Sequence, residues 1–556
     1  MKRFLKLNLK NSTKSEAIAL LVIVAVGLGL RLLCLDLKPL WVDEVITSIF
    51  GLGLGFEAIP TEQVLPVAAL PLLFQFNAAA DCPAIAHHLA TQSTHPPLFF
   101  CLLHTWLGWI PQASLAVATR SFAVLWGMVG IVALYGLNRV GFSRSAALTG
   151  AGLMALSPFA VYLSQEARHY TLPMALLTIA LTAQVQIHHD LQHKRQRPWL
   201  WVLWGGISCG AIYSHYFCAL AVLAQGVTLL LFLRRDRPPI SPGNLGRNLL
   251  LFSLPFGFFL PWLPVLLQHI NSPKTGWLSP PAGLAPLGQT LVGWIVMLFV
   301  PPIEGQPRSL QIGLGLLTLV LVILLIRQMI QGWRRLGPSV TRFTLTTVVA
   351  IVVVEYFFLI YGLGKDISIA PRYHFVYFPA VCALLGAVWS VQRVRWRCFW
   401  AGVLIVSSLG VVFDLALQKP YAPAEVAAQF NRDRAPILVV MAYQNTLEMA
   451  VGLSYGLAFA AERPPDQPAA FTLLSYAEGY DPVWQRLATL SPAELAIAPH
   501  ALWMIAPGYL DDAFPETVRL RQDQDCQIDP LHFYRIGFPY QRYQCHEISQ
   551  KSKTSP

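Results

Sequence analysis

Charge is the first thing this sequence lacks. Only 12% of its 556 residues are Asp, Glu, Lys or Arg, whereas 55% are hydrophobic. Soluble domains carry about 25% charged residues, so an ordinary soluble enzyme is excluded. Acids are the scarcer sign, 29 against 40 Lys and Arg, and none occurs between Asp81 and Glu166. Cysteine is sparse and scattered, with nine residues and no metal-ligand spacing. No internal repeat stands out, which argues against the duplicated halves of many transporters. A cleavable leader is not expected either. The start, MKRFLKLNLKNSTK, is basic, but the apolar run at 17–35 exceeds the ~7–15 residues of a signal peptide and ends in Arg31-Leu-Leu-Cys34.

What is present is a series of long apolar runs, each a membrane-span candidate when it reaches ~18 residues. The positive excess is uneven: residues 1–416 carry +15 and residues 417–556 carry −4. That shift near Lys419 separates a membrane body, 1–416, from a soluble tail, 417–556. The basic residues sit in short loops between spans, so they report membrane topology and no nucleic-acid partner is expected.

Eleven runs read as spans, beginning near residues 17, 119, 146, 172, 198, 217, 248, 310, 342, 374 and 398. Two more, 96–110 and 284–302, are ambiguous. Loop charge arbitrates between them. The clusters Arg139/Arg144, Lys194/Arg195/Arg197, Arg234/Arg235/Arg237, Arg334/Arg335 and Arg393/Arg395/Arg397 all fall on one side only if both ambiguous runs are juxtamembrane helices. The N-terminus is then cytoplasmic, the tail extracytoplasmic, and an inner (plasma) membrane is expected. The expected fold is therefore an α-helical polytopic membrane protein of about eleven transmembrane helices plus juxtamembrane helices. A small α/β C-terminal extramembrane domain follows. PILVVMAY and ALWMIAP read as buried strands and TLEMAVGLSYGL as a helix. Cys526 and Cys545, alone in the tail, suit a disulfide on an oxidising face; two unpaired thiols is the alternative.

This threading collects chemistry-bearing residues on the outer side. The first outer loop, 36–118, holds Asp43 and Glu44 in WVDEVITS and His95 in STHPPLFF; Arg120 opens the next span. The loop SQEARHYTL supplies Glu166, Arg168, His169 and Tyr170. The turn YSHYF supplies Tyr213, His215 and Tyr216. KDISIAPRYHFVYFP supplies Lys365, Arg372, Tyr373 and His374. A carboxylate accepts a proton from an attacking hydroxyl. Arginines neutralise a phosphate by bidentate hydrogen bonds and stabilise it as a leaving group. Such a set suits group transfer from a lipid phosphate.

The pattern R-x4-D-x6-DE (Arg31, Asp36, Asp43, Glu44), HPPL, an EAR-x-Y loop, a Y-x-HY turn and a late RY resembles the GT-C glycosyltransferases. The protein O-mannosyltransferase and lipid A aminoarabinose transferase-like group is the nearest. The resemblance covers roughly residues 17–416. It implies a polyprenyl-phosphate sugar donor, with Asp43 as general base and Glu44 beside it. It puts Glu166 in the second acidic loop, though some relatives carry their acid nearer position 170, where this chain has Tyr170. His95 stands where the aminoarabinose enzymes place a phosphate-binding lysine. Donor contacts are thus expected from His95, Arg120, Arg168, Arg372 and Tyr373. Further substrate contacts are expected from His169, Tyr170, Tyr213, His215, Tyr216 and Lys365. The acceptor is a lipid, polysaccharide or protein hydroxyl. No cofactor is implied, and a divalent ion at the first-loop carboxylates is left open.

Each assignment has a plainer counterpart. Asp43 suits the N-cap of a short helix starting at Glu44. His95-Pro-Pro suits a helix-opening turn, and the arginines suit interfacial anchors that reach headgroups. His215 suits the aromatic belt. Glu355, an acid within a span, is the main support for a transporter or lipid flippase. That alternative expects polar residues at mid-depth, whereas here they gather at the outer span ends. A membrane anchor presenting its tail leaves that gathering unexplained.

Overall fold

In the computed structural model, residues 2–548 are described apart from 271, 277 and 279, and apart from the side chains of 2–13. Among the described residues eight helices are long and apolar enough to cross a membrane. The pair Arg144–Leu156 and Pro158–Ser164, bent by 57°, makes a ninth if it acts as one span. The chain is an integral membrane protein. The predicted spans from 198 and 374 form shorter helices, Pro198–Ser214 and Phe378–Ser390. The second rises only about 20 Å at 1.5 Å per residue, short of the ~30 Å hydrocarbon thickness. A 3-10 segment, Pro371–Val376, precedes it. The two ambiguous runs are helices of 12 residues each, Leu98–Trp109 and Ala285–Val296, too short to cross.

The chain divides into two compact units: residues 1–35, 89–106 and 117–417, and residues 36–88, 107–116 and 418–556. The first is the helical bundle. Its bend at Ser157-Pro158 illustrates how a polar side chain stabilises the fold within a membrane. Pro158 has no N–H to give the Met154 carbonyl, and a freed carbonyl must find another donor in hydrocarbon. Arg31 supplies it. Its guanidinium donates to the carbonyls of Met154 (3.0 Å), Ala155 (2.9 Å) and Gly27 (2.9 Å) and to Ser164 Oγ (3.0 Å). Arg31 is fully buried and ties the first helix to the broken one. Close packing also depends on glycine: a Cβ on Gly386 would lie 2.5 Å from Gly150 Cα, so helices 144–156 and 378–390 meet through small residues.

The second unit is built on a seven-stranded sheet. Its strands are β1 (Val64–Pro66), β2 (Ile437–Tyr443), β3 (Ala469–Ser475), β4 (Ala501–Ile505), β5 (Thr517–Leu520), β6 (Gln524–Ile536) and β7 (Phe538–Glu547). The order is β1-β3-β2-β4-β7-β6-β5. β2 is parallel to β3 and β4, and the other pairs are antiparallel. The predicted strands are β2 and β4. The predicted helix is Thr446–Glu462, whose N-cap Asn445 accepts from the N–H groups of Leu447 and Glu448. It crosses over from β2 to β3, as a parallel pair requires. Cys526 and Cys545 face each other across β6 and β7 and form a disulfide.

The first long loop contributes to this unit. β1 is its edge strand, Glu62 Oε1 accepts from the Ser475 N–H (2.7 Å), and Ser454 Oγ donates to the Leu40 carbonyl (2.6 Å). By packing, then, 36–88 groups with 418–556, whereas the sequence places all of 36–118 with the membrane body. Strand pairing between segments some 400 residues apart leaves no local signal.

Candidate active site

Four short breaks in the helical bundle build a cluster of imidazoles and guanidiniums. The HPP turn before Leu98 carries His95. The turn between Ser164 and Thr171 carries Arg168, His169 and Tyr170. The turn between helices 198–214 and 218–236 carries His215, and the 3-10 segment carries Arg372, Tyr373 and Phe375. In a 3-10 helix residues i and i+3 share a face, so Arg372 and Phe375 fall on one side.

The ring of His169 lies between those of His95, centroids 4.8 Å apart, and His215, 4.7 Å apart. Tyr170 packs against His169 at 4.7 Å, and Phe375 against His215 at 4.8 Å. Arg168 Nη2 donates to His95 Nε2 (3.4 Å), so His95 carries its proton on Nδ1 and donates it to Ser93 Oγ (2.9 Å). His215 Nδ1 accepts from the Phe217 N–H (3.1 Å), which leaves its proton on Nε2. His169 differs. It is fully buried, and neither ring nitrogen has a partner among the described residues.

Burial lowers the pKa of all three histidines well below the ordinary value. The positive charges of Arg168 and Arg372 lower each further, as does a neighbouring histidine. The cluster therefore holds neutral imidazoles beside two permanent cations, an arrangement that favours an anion. Among the described residues no three His, Cys, Asp or Glu side chains converge as metal ligands.

The chain aligns with ArnT from Cupriavidus metallidurans in the apo state at 12% identity and TM-score 0.50, covering 94% of this chain and 97% of that one. The fold is that of the GT-C glycosyltransferases. The same enzyme bound to undecaprenyl phosphate aligns at 13% identity and TM-score 0.49, over 95% and 98%. The archaeal oligosaccharyltransferase AglB from Archaeoglobus fulgidus, in complex with an inhibitory peptide and a dolichol-phosphate, aligns at 10% identity and TM-score 0.44, over 89% and 70%. Residues 94–245 match the family described as dolichyl-phosphate-mannose-protein mannosyltransferase. No curated protein sequence matches the chain.

On this GT-C frame the remaining predicted residues fall into distinct places. Tyr373 joins the cluster at 6.2 Å from His215. Arg120 is buried and donates to the Leu35 carbonyl (2.7 Å). Glu166 is buried in the turn before Arg168, whose N–H bonds its carbonyl (2.7 Å). Tyr213 points elsewhere, its hydroxyl donating to the Phe258 carbonyl (2.6 Å). Tyr216 belongs to a separate network with Trp262 and His269; burial raises its pKa. The Lys365 side chain makes no hydrogen bond or ion pair among the described residues. His374 bonds the Tyr377 hydroxyl (2.6 Å), away from the other histidines.

In the other unit, Asp43 and Glu44 lie in the first turn of the helix Val42–Gly51. Its N-cap is Trp41 and it starts at Val42, so the plainer alternative for Asp43, an N-cap of a helix starting at Glu44, is corrected. Glu44, buried at the third helical position, accepts from the Trp41 N–H through Oε2 (3.4 Å), as the acidic half of a capping box does. Asp43 is half-buried and is not the N-cap. Sequence reasoning missed Ser93, Phe217 and Phe375 as members of the cluster. Only Phe375 carried a signal, its i+3 spacing from Arg372, and that needs the 3-10 turn to be known.

Proposed function

We propose that this protein is a membrane glycosyltransferase moving a sugar from a polyprenyl-phosphate donor to a hydroxyl acceptor on the extracytoplasmic face. The observation that carries this reading is His169. A fully buried imidazole with two unpartnered nitrogens costs about 1–3 kcal/mol for each group left unsatisfied, and such a group calls for a reason. A phosphate oxygen seated against His169, Arg168 and Arg372 supplies one, since it accepts from all three. The family matched by residues 94–245, described by a dolichyl-phosphate sugar, supports the same class of donor.

In this reading the acceptor O–H gives its proton to Asp43 as its oxygen bonds the anomeric carbon. The bond from that carbon to the phosphate oxygen breaks, and the lipid phosphate leaves with the electron pair. Arg168 and Arg372 stabilise the negative charge that grows there. Neutral His169 and His215 each have an N–H to donate and carry no charge that would repel the arginines, whereas the His95 proton is held by Ser93. Glu44 holds the helix start that carries Asp43. The N-terminus is cytoplasmic and the sheet unit extracytoplasmic, the sidedness that the basic loops favour.

The test uses purified protein and radiolabelled polyprenyl-phosphate sugars. Label should pass from the lipid to a hydroxyl product. It should stop doing so in His169→Phe, a variant that keeps the ring packing and removes both nitrogens. Full transfer by His169→Phe would remove the phosphate reading of the cluster.

A further inference from the structure

An open pocket lies on the surface of the sheet unit. Its volume of about 560 Å3 is within the range of about 300–1,000 Å3 seen for small-molecule sites. It is lined by Tyr509, Leu510, Asp511, Asp512, Phe533 and Arg535, so one wall is aromatic and the rim is charged.

The aromatic wall is held rigidly from behind. Buried Phe514 meets Tyr509 edge-on at 5.1 Å and Phe533 at 6.0 Å. Tyr480 backs Tyr509 at 3.9 Å and stacks on Tyr476 at 4.7 Å. The Tyr480 hydroxyl is fixed by donating to the Pro507 carbonyl (2.7 Å), and the Tyr476 hydroxyl by donating to Glu448 (3.1 Å). Rings locked in this way lose little freedom when a ligand lies on them.

The charges of the rim are not used up by ion pairs, as several others in this unit are. Arg486 pairs with Glu494, Arg519 with Asp525, Arg521 with Asp523 and Arg542 with Asp433. Asp511, Asp512 and Arg535 share one cavity with opposite signs, yet none has a side-chain hydrogen bond or ion pair among the described residues. All three are exposed. Their hydrogen-bonding capacity is open to a ligand.

We propose that this pocket binds a neutral oligosaccharide, the acceptor glycan of the transfer reaction. A sugar ring has an apolar C–H face and a rim of hydroxyls. The face lies on Tyr509 and Phe533, where aromatic surface contributes most. The hydroxyls donate to the carboxylates of Asp511 and Asp512 and accept from Arg535. Two carboxylates against one guanidinium leave the rim negative, which disfavours phosphorylated or acidic glycans. Only the ligand's role as acceptor rests on the proposed transfer; its binding does not.

The test titrates trisaccharides of glucose, mannose and N-acetylglucosamine into the full chain. The detergent must lack a sugar headgroup. Calorimetry reads the binding. At least one trisaccharide should bind saturably, and Tyr509→Ala should weaken it about tenfold, the loss of about 1.4 kcal/mol. Asp511→Ala, on an exposed turn where folding is not at stake, should weaken the same ligand. Absence of saturable binding by all three sugars would overturn the proposal. So would binding that both variants leave unchanged. A chain that binds a trisaccharide but transfers no sugar keeps this pocket and loses the transfer reading.

Discussion

Arg542 in the sheet unit and His169 in the bundle are both inward polar side chains, and the chain treats them differently. Arg542 uses all three nitrogens. Nε and Nη2 donate to Asp433, the shortest at 2.8 Å, and Nη1 donates to Asp529 at 2.8 Å. The Trp503 indole also donates to Asp433 (2.8 Å), and His532 pairs with Asp529. His169 is deeper and has no such partner. A closed network of this kind fixes a sheet in one arrangement. A buried polar group left open marks a place that a ligand completes. Arg31 follows the closed pattern within the bundle, where its four bonds mend a broken helix.

The contrast can be tested from its largest expected effect to its smallest. Asp43→Asn should lower sugar transfer by about 10²–10⁴-fold, the usual worth of a positioned general base. Its melting temperature should barely move, because the helix start is held by Glu44 and Trp41. Near wild-type turnover in this variant would show that the pair serves the helix alone. Arg542→Ala should cost about 1.5–3 kcal/mol, the worth of charged hydrogen bonds, since Asp433 and Asp529 lose their shared guanidinium but keep Trp503 and His532. Denaturant unfolding of the sheet unit measures this, and a loss below about 1 kcal/mol would mean that the network is dispensable.

Arg372→Ala should weaken lipid-phosphate binding by about 10–100-fold, the worth of a charge-assisted hydrogen bond. Arg372→Lys should lie between the two, because a point charge replaces a planar fork. Equal affinities in all three proteins would return Arg372 to the interfacial anchors. His169→Phe should leave the empty protein at least as stable as the parent, since it removes two unsatisfied groups. It should also flatten the pH dependence of melting. The histidine pKa values are depressed on folding, so their stabilising effect is present above the unfolded value of about 6.5 and is lost as pH falls below it. Melting scans from neutral to acidic pH should show a steeper decline in the parent than in the variant.

Much of the bundle was legible because membrane spans are read from length and apolarity alone. Helices such as Arg308–Leu336 need no partner to be recognised. The run from 374 was harder: a 3-10 segment and a 13-residue helix share one apolar stretch, and composition does not separate them. In the tail, β2, β4 and the helix between β2 and β3 announced themselves by continuous apolar runs. β6 and β7 carry mixed, half-exposed patterns that resemble loop, while β5 and β1 are only four and three residues long.

By itself the sequence determined that the chain is a membrane protein, where its charge changes sign, and which loops hold acids, arginines and histidines. These are properties of composition and order, which survive without coordinates. The tertiary structure alone decided which of those residues meet. His95, His169, His215 and Arg372 come from turns spread over nearly 280 positions, and they converge because four helix breaks fall at one end of the bundle. Tyr213, two residues from His215, is turned away by the helix whose last turn it occupies. Adjacent residues diverge and distant ones touch because packing acts through space, and local pattern carries no record of it.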